Sequence, residues 1–101
     1  MKTIHKYDLV PQPGMVDLDL PSGAFVLTCD AQYDTIVIWI VVDAAVKTTQ
    51  KIRFHKFVTG ESFEKMPGRF VGTASFRGGS YIVHVFQSRL VETMDGKLVE
   101  V

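Results

Sequence analysis

Cysteine is nearly absent. Cys29 is the only one in 101 residues, so no disulfide can close within the chain and a thiolate metal cluster lacks its ligands. Preceded by Phe25-Val26-Leu27-Thr28, it reads as a small buried hydrophobe rather than a reactive thiol. Long apolar runs are missing too: the longest, Ile36 to Val42, has seven residues, where a membrane-spanning helix needs about 20. The opening Met1-Lys2-Thr3-Ile4-His5-Lys6 is basic, but neither an apolar stretch of signal-peptide length nor a small-residue cleavage pattern follows it. A cytoplasmic location is expected.

Catalytic signatures are equally scarce. No Gly-Lys-Ser or Gly-Lys-Thr closes a phosphate-binding loop, and no Gly-x-Ser-x-Gly elbow occurs. His5, His55 and His84 come singly from separate strands, so no metal site and no cofactor are expected. Asp17 and Asp19 alternate outward from an apolar stripe, the pattern of a solvated face with ordinary titration rather than of an acid-base pair. No enzyme is expected.

Net charge is absent as well, with 11 basic and 11 acidic residues, which argues against a general nucleic-acid binder. The balance conceals a segregation. Residues 1–45 carry two lysines against six aspartates, a net −4, whereas residues 46–77 carry seven basic residues against two glutamates, a net +5. Folding either turns the second segment into one positive face or interleaves the two sets.

Apolar residues make up 47% of the chain and charged residues 22%, the composition of a single globular domain over residues 1–101. Its periodicity is that of strands. Residues 2–9 are rich in strand formers and end at Pro11-Gln12-Pro13-Gly14; Val16, Leu18 and Leu20 then alternate with Asp17 and Asp19 up to Pro21-Ser22-Gly23. Ala24–Asp30 and Asp34–Asp43 read as a hairpin around Ala31-Gln32-Tyr33. Thr35–Val42, apolar on both faces, reads as a central strand covered on each side. Asp43–Thr49 is a connection with a helical turn, Gln50–Val58 a strand, and Thr59–Gly68 a long loop with a helical turn at Ser62–Lys65.

Gly78-Gly79 lies between two alternating runs and predicts a two-residue type I′ hairpin, whose central residues both need positive φ. Counting outward pairs Phe76 with Tyr81, Ala74 with Val83 and Gly72 with Val85 on the core face; Arg77 with Ser80, Ser75 with Ile82 and Thr73 with His84 fall on the other. Residues 88–101 read as a terminal hairpin extension built on Asp95-Gly96, open to pairing with another chain. The fold class is all-β: a small single-domain barrel or sandwich of about eight short, mostly antiparallel strands.

The basic middle segment supplies the candidate ligand residues. A few arginines and lysines around a cleft suffice to hold phosphates. The candidates are Arg53, His55, Lys56, Arg69, Arg77 and His84, with Thr73 and Ser75 as neutral donors and Tyr81 or Trp39 as stacking partners for a base.

Thr59-Gly60 through Pro67-Gly68-Arg69-Phe70-Val71-Gly72-Thr73, then Phe76-Arg77-Gly78-Gly79-Ser80-Tyr81-Ile82-Val83-His84-Val85-Phe86, together with the opening Lys2-Thr3-Ile4-His5-Lys6-Tyr7, resemble a family of short bacteriophage and prophage proteins defined by a domain of unknown function. The resemblance covers roughly residues 2–87 and implies a genomic setting rather than an activity. By analogy with small phage factors, the expectation is a non-enzymatic anti-defence protein of the host-cell cytoplasm. It would be a homo-oligomer that sequesters an anionic, nucleotide-like immune signal. The alternatives are a module that inhibits or recruits a host defence protein through a sheet edge, and a phage structural or assembly component.

Overall fold

The period of two seen along the sequence becomes eight strands in the computed structural model, which describes residues 1–101: β1 Lys2–Leu9, β2 Gly14–Pro21, β3 Phe25–Gln32, β4 Thr35–Asp43, β5 Thr49–Val58, β6 Arg69–Phe76, β7 Tyr81–Glu92 and β8 Leu98–Glu100. The only helical element is a single 3-10 turn at Arg77–Gly79. All strand pairs are antiparallel. They form two sheets, one ordered β1-β4-β3 and the other β2-β5-β7-β6. Leu90 of β7 faces Lys51 on one side and Glu100 on the other, so β8 continues the β6 flank of the sheet beyond Arg69.

The sheets pack face to face as a sandwich. Ile36, Ile38, Ile40 and Val42 of β4, with Val26 and Cys29 of β3, meet Ile52 and Phe54 of β5, Leu20 of β2, and Val83 and Val85 of β7. Full burial of each large aliphatic or aromatic side chain contributes about 1.5–3 kcal/mol, which makes this layer the main stabilising term.

Along one side the sandwich closes. β3 and β6 each carry a bulge, between Val26 and Thr28 and between Phe70 and Gly72; bulges bend and twist a strand, and these two bring the edges together. Gly72 lies so close to β3 that a Cβ there would stand 3.0 Å from the Cys29 sulfur and 3.3 Å from its backbone N and O. Cys29 is buried, and desolvation pushes its thiol up to about 11.

Several local expectations change. β4 is central to its sheet, yet only its inner face is covered by the second sheet. Val37, Trp39 and Val41 share the outer face, where Val37 is shielded by a 3.1 Å hydrogen bond from Lys6 to Gln32 that spans β4. Trp39 is half-buried there, away from β5, and is neither core nor a neighbour of the basic strand. The β3–β4 loop is the pair Tyr33-Asp34, with Tyr33 at φ 55°, because the ladder extends to Gln32↔Thr35. The β6–β7 register is the one counted from the sequence, but its loop widens to Arg77–Ser80 because Arg77 also takes a positive φ of 54°. Asp43–Thr49 contains no helix: the Asp43 carboxylate accepts from the Ala45 N–H at 3.0 Å and turns the chain. Thr59–Gly68 is likewise an irregular loop without a helical turn. No helix is long and apolar enough to cross a membrane.

Candidate functional site

The outward face of β5 answers the question of charge segregation. Asp17 lies directly opposite Arg53 and Asp19 opposite Lys51. Arg53 donates from Nε to Asp17 Oδ1 at 2.9 Å and from Nη2 to Oδ2 at 3.2 Å, and Lys51 Nζ reaches Asp19 Oδ1 at 2.9 Å. The acidic and basic segments therefore interleave. Asp17 is not an ordinary solvated carboxylate: the Arg53 hydrogen bonds lower its pKa against a smaller opposing effect of burial.

A second carboxylate completes the compensation. Glu100 of β8 accepts from Ser88 Oγ at 2.5 Å, from Arg53 Nη1 at 3.1 Å, and lies 2.9 Å from His55 Nε2. The Ser88 hydroxyl first, and then His55 and Arg53, hold its pKa down at about 2, against the effect of burial. The serine bonds to the carboxylate and not to the imidazole, so the cluster is carboxylate-centred and lacks the serine-to-base hydrogen bond of an activated nucleophile. Beside it lies a groove of about 510 Å³ between this network and the 64–68 loop. Phe57, Phe63, Phe70 and Phe86 pack next to it in tilted and edge-to-face pairs, with ring centroids 4.4–6.4 Å apart.

His84 and Thr73 also sit on this outer face, where they bond to each other. His84 Nδ1 is 3.1 Å from Thr73 Oγ1 and its Nε2 is 2.7 Å from Thr59 Oγ1. Lys56 points the other way. It is buried on the inner face, donates to the Val10 carbonyl at 2.7 Å, and burial lowers its pKa.

Arg77 and Tyr81 meet at one end of the sandwich. The Arg77 guanidinium lies over the Tyr81 ring, 5.5 Å from its centroid, and the Tyr81 hydroxyl donates to the Pro11 carbonyl at 2.9 Å. They line a cleft of about 560 Å³ that also contains Asp8 and Asp34, two carboxylates that oppose an anion.

Arg69 belongs to a third place. Register puts it opposite Gln87, and Gln87 opposite the fully buried Phe54; Arg89 lies opposite Ile52 and Gln50 opposite Leu20. These four polar residues therefore occupy the core-facing register of the second sheet, at the end where the sandwich opens. They line a mouth of about 270 Å³ roofed by Ala24, Phe25 and Val26 of β3. The Arg69 guanidinium stacks 5.0 Å from the Phe25 ring centroid. Neither Arg69 nor Arg89 forms an ion pair, and no aspartate or glutamate lines the mouth. The Val101 N–H donates to the Arg89 carbonyl at 2.9 Å and closes one flank.

Eight of the ten candidates thus divide. Arg53, His55, Thr73 and His84 share an outer face on which each has a side-chain partner. Lys56 is internal, Arg77 and Tyr81 share the acidic cleft, and Arg69 alone reaches the mouth. Arg89, Gln87 and Gln50 were missed. The signal was present: continuing the inward series Tyr81, Val83, Val85 by twos lands on Gln87 and Arg89, polar residues on a face otherwise apolar. No group of three or more His, Cys, Asp or Glu side chains is placed to hold a metal ion.

Fold and site together define an all-β two-sheet sandwich with an unpaired arginine pair at its mouth. The chain belongs to the family of the domain of unknown function DUF7352, whose model matches residues 1–94. No curated protein and no solved structure matches it. β8 and Glu100 lie beyond the matched residues.

Proposed function

We propose that this protein is a non-enzymatic binding module that holds a small phosphate-bearing, nucleotide-like anion at the mouth between its sheets. The observation that carries this reading is the pair Arg69 and Arg89, on a core-facing register yet without a carboxylate partner. Guanidinium groups present a planar fork of donors that matches phosphate oxygens, and they stay charged at any physiological pH. Gln50 and Gln87 supply amides that can donate or accept, and Phe25, 49% exposed, offers an apolar face beside the charge. The mouth is of mononucleotide rather than polymer scale, and the neutral chain supplies no extended basic track. The resemblance to phage proteins supports a sequestering role in a host cell, as an anti-defence factor that removes a nucleotide signal.

Thermal melts with nucleoside mono- and diphosphates, cyclic dinucleotides and ADP-ribose test it. A ligand that binds only the folded chain stabilises it by about 2.7 kcal/mol at a hundredfold excess over its dissociation constant. A rise in melting temperature with at least one member of this panel is expected. A panel without any shift refutes the reading.

A further inference from the structure

β1 is open on its outer edge and, over its first five residues, exposed on both faces. Lys2, Thr3, Ile4, His5 and Lys6 are all solvent-exposed, Ile4 at 57%, and β1 pairs only with β4. An unpaired edge of this length presents a row of free N–H and C=O groups that can accept another strand.

We propose that the occupant is the β1 strand of a second copy of this chain, paired antiparallel about a two-fold axis through His5. A two-fold axis perpendicular to a sheet keeps matching faces together and centres the pairing on a single residue. Centred on His5, Lys2 of each copy faces Asp8 of the other, Thr3 faces Tyr7, and Ile4 faces Lys6. Centred on Ile4, Lys2 faces Lys6 twice; centred on Lys6, that lysine faces itself. Centred on Tyr7, Lys6 faces Asp8, but only residues 5–9 of the strand pair and Lys2, Thr3 and Ile4 are left open; the His5 register alone pairs residues 2–8 and gives Lys2 a carboxylate. It joins two three-stranded sheets into a continuous six-stranded one and covers Ile4. The mouth with Arg69 and Arg89 lies on the far side of β4, so this pairing is independent of ligand binding.

Light scattering from micromolar to millimolar protein tests it. The expected mass approaches twice the 11.3 kDa protomer as concentration rises. Lys2→Asp places carboxylates opposite Asp8 and weakens the dimer by about tenfold or more, and the exchange Lys2→Asp/Asp8→Lys restores it. Circular dichroism confirms that the variants are folded. A protomer mass at every concentration, which leaves the edge to a different partner, overturns the proposal; so does a dimer indifferent to Lys2→Asp. Loss without rescue by the exchange overturns the His5 register.

Discussion

Arg53 and Asp17 face each other across β5 and β2 and are joined by two hydrogen bonds, of 2.9 and 3.2 Å. This fork-to-carboxylate geometry uses up the guanidinium that the sequence marks as the first candidate for an anion. Because the pair is partly exposed, its loss is modest: Asp17→Asn is expected to lower the urea-unfolding free energy by no more than about 1 kcal/mol. Arg53→Ala is expected to leave nucleotide-induced stabilisation unchanged.

Glu100 sets an acid limit on stability. Its carboxyl is held at about 2, against a usual 4.5, by Ser88, His55 and Arg53. A depressed folded-state pKa means that the unfolded chain takes up the proton first, so the contribution is fully present above pH 4.5 and is lost as pH falls towards 2. Urea midpoints measured down this range are expected to fall more steeply for the natural chain than for Glu100→Gln, which has no proton to gain at this position.

The closed side of the sandwich depends on the missing side chain at Gly72. Gly72→Ala places a methyl group 3.0 Å from the Cys29 sulfur and 3.3 Å from its backbone, and is expected to cost about 1–3 kcal/mol in denaturant unfolding. Adding Cys29→Ala removes the sulfur but not the backbone contacts, so the double variant is expected to recover only part of that loss.

Cys29 itself gives a simple probe of folding. Buried, and with its thiol pushed up to about 11, it is expected to react with an aromatic disulfide reagent far more slowly than a free thiol in native protein at neutral pH. Full reactivity is expected to appear with the urea unfolding transition.

Much of the fold was legible in the chain because its alternation is strong. The Gly78-Gly79 register, the half-exposed β2 with its outward aspartates, the terminal hairpin on Asp95-Gly96 and the buried cysteine all follow from local pattern. Which strands become neighbours does not. The pairing of β2 with β5, which brings Asp17 and Asp19 onto Arg53 and Lys51, joins residues more than 30 positions apart, and no local rule predicts it. For the same reason the basic segment looked free when it was not. Trp39 misled through composition: an apolar run on both faces suggests two covering layers, and here neighbouring Lys6 and Thr28 flank the outer one. Arg89 was readable from register but lay outside the segment singled out by charge.

The most direct test of the account is an equilibrium calorimetric titration with ADP, comparing the natural chain with Arg69→Ala/Arg89→Ala and with Arg53→Ala/Arg77→Ala. The account predicts saturable binding that weakens with added salt, disappears in the first double variant and persists in the second. Binding that survives without Arg69 and Arg89, or that vanishes without Arg53 and Arg77, contradicts it.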